Sequence, residues 1–516
     1  MIFENEREVP GMPGSGARVR NSTRSSHALK RHMPTMRPAT ARALSSASRT
    51  LSSSHTASRG LSSAAASVAQ RNAAAIAEAG AAKGLRFYQF SFVDLFGVQR
   101  SKLVPASRVE EIATDGAGFA GFAAWLDMDP TMGDLLAMPD PSTLTQLPWQ
   151  RDVGWLSCDL VHEGGELPHG PRNVLRAVQA KLKAAHGLTL KTGVECEFFL
   201  LDGGSPSPSV ADALDVQSKP CYDSHALMRR YDLISTLVEA MEEPGWGPYQ
   251  ADHEDANGQF EINWDYEDAL ITADRVTLFK YMARTLAERH GLRATFMPKP
   301  FAQLTGSGSH AHMSLWDAAT GKCVSGGGDA SMHGLSPTSL FFLAGVLSNA
   351  PALLALTNPT VNSYKRLNAR GTASGATWSP TAATWAGNNR SALVRVPGGA
   401  TRMELRVADM SANPYLMAAA IGAAGLDGLK KGALPPPPCD RNMYDTTDPV
   451  VAAAVAAAPP LPTELPAALD LLESSTALRD GLGEPFVDSY LKLRRAHCAE
   501  YAAQLTPWEL QTYLDS

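Results

Sequence analysis

The stretch T-G-V-E-C-E-F-F-L-L (residues 192–201) decides how this chain folds. In a strand, residues two apart share a face, so Glu195 and Glu197 point together while Val194, Cys196 and Phe198 point the other way. The same alternation recurs downstream. In H-E-D-A-N-G-Q-F-E-I-N-W (253–264), Phe260, Ile262 and Trp264 make an apolar face and Glu261 and Asn263 the opposite one, with Glu254 across a Gly-containing loop. In S-H-A-H-M-S-L-W (309–316), His310, His312 and Ser314 share a face. In R-M-E-L-R-V (402–407), Glu404 and Arg406 alternate with Met403, Leu405 and Val407. One such segment alone is explained by an amphipathic strand facing water. Four of them, each rich in glycine and short polar residues, argue instead for polar faces that converge on one cavity. Five carboxylates and a histidine would then meet. Two carboxylates about 4 Å apart repel by roughly 4 kcal/mol at an effective dielectric near 20, so the cluster demands cations. Oxygen-rich ligation without thiolates selects Mg²⁺ or Mn²⁺.

Arginines supply the complementary charge. Arg366, Arg390, Arg395, Arg402 and Arg406 fall within residues 366–406, and planar guanidinium groups suit bidentate contact with phosphates and carboxylates. A cationic wall facing a metal-filled anionic one is what phosphoryl transfer requires. No G-x-x-x-x-G-K-[ST] occurs, which argues against a P-loop. Around this core, R-F-Y-Q-F-S-F-V-D (86–94) and V-Q-R-S-K-L-V-P (98–105) flank a Leu-Phe-Gly turn and predict a hairpin opening a β-rich domain over 84–170. Asn173 is expected to cap an amphipathic helix, and helices are predicted over 224–242, 272–290, 336–356 and 414–431 within a larger domain spanning 187–516.

The 516 residues carry a net charge of −6, but unevenly. Residues 1–80 hold 11 Lys+Arg against 4 Asp+Glu, leaving 35 against 48 for the rest. A balance so near neutral argues against a nucleic-acid partner, and no long apolar run suggests a membrane span. Six scattered cysteines without a C-x-x-C pair give neither a zinc ribbon nor a disulfide framework. The Arg- and Ser-rich first 80 residues, acid-free between Glu8 and Glu78, have the composition of a disordered transit peptide. That predicts import into a mitochondrion or chloroplast, with a cytoplasmic enzyme as the alternative. The acidic opening up to Glu8 fits such a leader badly and points to Met12 or Met33 as the start.

Read in order, E-C-E (195–197), H-E-D-A-N-G-Q-F-E-I-N (253–263), F-M-P-K-P (296–300), T-G-S-G-S-H-A-H-M-S-L (305–315), N-P-T-V-N-S-Y-K-R (358–366), N-R-S-A-L-V-R-V-P (389–397), R-M-E-L-R (402–406) and A-N-P-Y-L (412–416) resemble the glutamine synthetase family. The resemblance implies an α+β chain, with an N-terminal β-grasp domain and a catalytic domain whose curved antiparallel sheet forms a half-barrel flanked by helices. It implies that Glu197, Glu254 and Glu261 hold one metal and Glu195, His310 and Glu404 a second. Arg366 and Arg406, with the backbone around Gly306, would contact glutamate. Arg390, Arg395 and Arg402 would face the phosphates, and His312 and Ser314 the nucleotide. Asp94 matches the aspartate that a neighbouring subunit lends to the ammonium site, within a homo-oligomer of stacked rings, a dodecamer by the spacing of the long form. The implied reaction joins ammonia, or another amine, to glutamate at the expense of ATP. One departure touches the amine step: the family's flap glutamate is replaced by Thr372, no acidic residue lies between Arg366 and Glu404, and Thr305 stands where asparagine is common. These features, with W-A-G-N-N-R (385–390), resemble the type III glutamate–ammonia ligases, close to ligases that use methylamine.

Overall fold

The computed structural model describes residues 63–516 apart from 206 and 400. Its N-terminal sheet grows from the expected hairpin, in which β1 (Phe87–Val93) and β2 (Gln99–Pro105) pair antiparallel. Asp94 ties the turn, one carboxylate oxygen accepting the N–H groups of Phe96 and Val98 at 3.0 Å each. Tyr88, Phe90 and Phe92 alternate into the core. Strands β3 (Ala117–Phe119), β4 (Leu135–Pro139), β5 (Thr145–Leu147), β6 (Gln150–His162) and β7 (Gly165–Glu166) complete a sheet ordered β2-β1-β6-β4-β3, with β5 and β7 on β6. β6 runs parallel to β1. Helix Ser63–Ala82 precedes this sheet and buries Ala73 and Ile76. Residues 63–80 are therefore helical rather than disordered. The remainder of the expected leader, residues 1–62, lies outside the described residues.

The larger part turns on one residue. β8 (Leu188–Val194) passes through Glu195 into β9 (Cys196–Asp202), and the two strands belong to different sheets. β10 (Pro248–His253), β11 (Gln259–Trp264), β12 (Glu267–Asp268), β13 (Leu292–Thr295), β14 (Ala311–Asp317), β15 (Trp385–Ala386), β16 (Val394–Arg395) and β17 (Met403–Leu405) follow. One sheet runs β10-β11-β9-β13 and the other β12-β8-β14-β17-β16-β15. Within them only β15 and β16 pair in parallel. The Glu195 N–H donates to the His310 carbonyl at 3.0 Å, so the sheets join as one bent antiparallel surface. Helices cover its apolar side, giving the α+β class expected.

Helix Pro414–Lys431 matches the sequence reading, with Asn413 accepting the Tyr415 N–H at 3.0 Å and Pro414 at the first position. It crosses helix Pro337–Thr357 closely, since a Cβ on Gly428 would lie 2.0 Å from the Phe341 carbonyl oxygen. Helix Pro337–Thr357 is long and apolar enough to cross a membrane by length and composition, but 78% of its apolar window is buried inside the protein. Two expectations need correction. The helix predicted over 224–242 is two, Ser224–Arg229 and Tyr231–Glu242, because Arg230 leaves helical geometry and donates to the Ala211 carbonyl at 2.8 Å. Asn173 does not cap helix Pro171–His186, whose N-cap is Gly170. Its amide instead exchanges both hydrogen bonds with the Leu160 backbone, at 3.0 and 2.7 Å.

Candidate active site

Strand register builds the site. Asp252, Glu261 and Glu197 lie directly opposite one another across β10, β11 and β9. In the second sheet His312, Glu404 and Arg395 form a row across β14, β17 and β16. Glu195, at the junction, faces both rows. Like charges opposite one another in a sheet are destabilising, so a row of three carboxylates is a cost that a bound cation can offset.

Distances tie the rows together. His310 Nδ1 lies 2.9 Å from Glu195, 3.7 Å from Glu197 and 3.9 Å from Glu404. His312 Nε2 lies 2.8 Å from the other oxygen of Glu195. One ligand atom each from Glu195, His312 and Glu404 lie within 4.8 Å of one another. That group includes His312, which was expected on the nucleotide, and the expected metal histidine His310 lies beside it, 2.9 Å from Glu195 and 3.9 Å from Glu404. Glu197 accepts the Gly308 N–H at 2.7 Å and the Gln259 amide at 3.1 Å. Glu404 is held by Arg395 at 2.8 Å and by Arg406. Arg402 donates to His312 Nδ1 at 3.2 Å.

The electrostatics separate the glutamates into two kinds. Burial works against ionising Glu195, yet His310 and His312 hold its carboxyl far below the ordinary range. Glu404 is likewise kept low against burial, by Arg406 and His310. Burial, then Glu197 and Asp252, push Glu254 well up. Burial, then Glu195 and Glu254, do the same to Glu261. Asp252 is pushed up to about 6 by burial and by Glu197 and Glu195. His310 Nε2 is buried without a hydrogen-bond partner. Carboxylates forced toward protonation and an imidazole nitrogen left unpartnered fit a hard divalent cation.

A cavity of about 320 Å³ opens on this cluster, lined by Glu195, Glu197, Glu254, Glu261 and His310. Arg366, Arg390 and Arg406 line it as well, with Gly306. Arg366 is anchored through the carbonyls of Val407 and Ala408, at 2.9 and 3.3 Å, with its Nε buried and unpartnered. Six expected residues lie off the lining: Asp94, His312, Ser314, Arg395, Arg402 and Glu404. Arg395 bonds Glu404 and Arg402 bonds His312, behind the lining. The Ser314 hydroxyl accepts the Trp316 indole N–H at 2.9 Å. Asp94 is buried in its own hairpin, paired with Arg100 at 2.8 Å. Sequence reasoning missed Gln250, Asp252, Cys221, Tyr222, Thr377 and Trp378, which also line the cavity. The alternation Gln250, Asp252, Glu254 could have revealed the first two.

The family model of the glutamine synthetase catalytic domain matches residues 168–513. A glutamine synthetase from Rhizobium meliloti (strain 1021) is 49% identical over 434 residues, covering 84% of this chain and 97% of that protein. A glutamate–methylamine ligase from Methyloversatilis universalis is 41% identical over 435 residues, covering 84% and 96%. A solved structure described as a GmaS/ADP complex superposes with a TM-score of 0.80 at 52% identity, covering 86% of this chain and 99% of that one. These Rhizobium and Methyloversatilis relatives are bacterial enzymes, from cells without organelles, and this corrects the expected import into a mitochondrion or chloroplast.

Proposed function

The chain belongs to the glutamine synthetase family of ligases, and from that membership we propose that it makes L-glutamine from L-glutamate, ammonia and ATP. The supporting observation is one cavity lined by Glu195, Glu197, Glu254, Glu261 and His310 together with Arg366, Arg390 and Arg406. A carboxylate is a poor electrophile. In this reading the γ-carboxylate of glutamate attacks the γ-phosphate of ATP, ADP leaves, and ammonia displaces phosphate from the acyl phosphate. Arg366, Arg406 and the Gly306 backbone hold glutamate, while Arg390, Arg395 and Arg402 offset phosphate charge. Glu197, Glu254 and Glu261 would hold one Mg²⁺ or Mn²⁺, and Glu195, Glu404 and His310 a second, with His312 adjacent. These ions would neutralise charge on the transferring phosphoryl group. Ser314 and His312 remain the nucleotide-side residues.

Asp94 acts on the ammonium side only through a neighbouring copy, since no side of this chain's own cavity includes it. The proposal therefore includes a homo-oligomer of stacked rings, a dodecamer. Light scattering on the purified protein tests the assembly, and a monomer would remove Asp94 from the mechanism.

A second reading, a γ-glutamyl-amine ligase with methylamine or a polyamine as acceptor, is favoured by the make-up of the cavity. Tyr222 and Trp378 line it, and no acidic residue lies between Arg366 and Glu404 to take a proton from ammonium. ADP release with glutamate plus ammonium, methylamine or a polyamine distinguishes the two. Faster turnover with ammonium supports the first reading; a strong preference for methylamine replaces it with the second.

A further inference from the structure

We propose that Asp255 is a positioning residue that latches the segment 367–378 against the cavity through Thr305 and Ser374. Between helix Val361–Leu367 and β15 the chain has no helix or strand of its own. It is nevertheless tied down. The Ser374 hydroxyl donates to the Asp255 carboxylate at 2.5 Å, and the Thr305 hydroxyl donates to the same oxygen at 2.6 Å. Thr372 lies 3.1 Å from the Ser374 hydroxyl and donates to the Ala376 carbonyl. The Ala373 N–H donates to the Gln303 carbonyl at 2.8 Å. Asp255 is buried, and its own N–H donates to Glu254 at 2.9 Å, so the latch is anchored beside the glutamate cluster. Thr305, Thr377 and Trp378 all line the cavity.

Of the two departures from the family pattern, Thr305 bonds Asp255 directly, and Thr372 is linked to it through the Ser374 hydroxyl. An acidic residue at 374 would face Asp255 and repel it. The acid is supplied by the body of the site and the donors by the segment. Hydrogen bonds from hydroxyls to a buried carboxylate are charge-assisted and among the stronger ones.

The consequence rests on the proposed ligase reaction. With the segment latched, water is kept from the acyl phosphate. With it open, water attacks the same carbonyl carbon, the C–O bond to phosphate breaks, and glutamate and phosphate are released with ADP but no amide.

The test uses the full chain, with Ser374→Ala, Asp255→Ala and the double variant. Hydrogen exchange reads the latch without reference to the reaction. Losing one hydroxyl-to-carboxylate bond is expected to speed exchange in residues 367–378 about tenfold, with β8 and β11 unchanged. The double variant should add nothing beyond Asp255→Ala, because both remove one interaction. ADP released per amide formed should rise in Ser374→Ala while KM for ATP holds. Unchanged exchange in Ser374→Ala, exchange rising equally across the whole chain, or a wild-type ratio of ADP to amide overturns the latch. A wild-type protein that releases no ADP with any amine overturns the ligase reading instead, and exchange still decides the latch.

Discussion

Gly308 is where the cluster leaves no room. A Cβ there would lie 2.9 Å from Glu197 Oε1, 2.9 Å from His310 Nε2 and 3.0 Å from an Arg366 nitrogen, while its N–H already donates to Glu197 at 2.7 Å. Gly308→Ala is expected to leave the fold intact by circular dichroism and to lower kcat by about 100-fold, the usual cost of displacing a site by about an ångström. Near wild-type turnover would mean that Glu197 and His310 are not needed where they stand. Glu195 carries a different load, since its two oxygens lie 2.9 and 2.8 Å from His310 and His312. A glutamine there offers only one acceptor oxygen. Glu195→Gln should weaken Mn²⁺ binding, followed by titration calorimetry, by at least about 10–100-fold, the range seen when a ligand's supporting partner is lost. Unaltered affinity would remove Glu195 from the metal site.

The loop between β10 and β11 carries Glu254 to the cluster, and Asp215 holds that loop from behind. Asp215 lies 2.7 Å from His253, accepts the Asn257 amide at 2.9 Å and the Gly258 N–H at 2.6 Å. Burial opposes its ionisation, but His253, Asn257 and Gly258 keep the carboxyl below its usual range. A depressed carboxyl stabilises the fold above its unfolded pKa, and that contribution is lost as pH falls through the folded value. Asp215→Asn should therefore be less stable than wild type in urea at pH 7, with the gap narrowing at pH values below about 4. A gap independent of pH would show that the ionised carboxylate is not what holds the loop. Sequence reasoning reached the strands that Asp215 supports, because E-x-E and its counterparts alternate cleanly. It did not reach Asp215, which lies 38 residues before His253 and is brought to it only by folding. Asn173 failed for a related reason: a residue with capping chemistry was claimed by the Leu160 backbone, a tertiary partner invisible to local pattern. The break at Arg230 escaped because apolar periodicity continues through it.

At the scale of the molecule, two sets of charges do different work. Arg172 is buried where the N-terminal sheet meets the catalytic part, bonding Asp140 and Asp159 on one side and Asp274 on the other at 2.9, 2.7 and 2.9 Å. Removing one partner of a buried pair leaves charges uncompensated, at a cost of about 3–5 kcal/mol. Arg172→Met should show that loss in urea unfolding, and a loss under about 1 kcal/mol would mean that Arg176, which also pairs with Asp140 and Asp159 at 3.4 and 2.7 Å, already compensates them. The glutamate cluster is the opposite case, because its compensation has to come from outside the chain. Burial and neighbouring carboxylates push Glu254 and Glu261 up, so without a cation they tend to hold protons. A cation binds the ionised forms and must expel those protons, so binding strengthens as pH rises. Mg²⁺ or Mn²⁺ at about 100 times its dissociation constant should stabilise the protein by about 2.7 kcal/mol. At a fixed metal concentration, the rise in Tm should be larger at pH 8 than at pH 6 and should vanish with EDTA. An equal rise at both pH values would mean that the ion does not sit on Glu254 and Glu261, and no rise at all would leave the row of opposed carboxylates without its counter-charge.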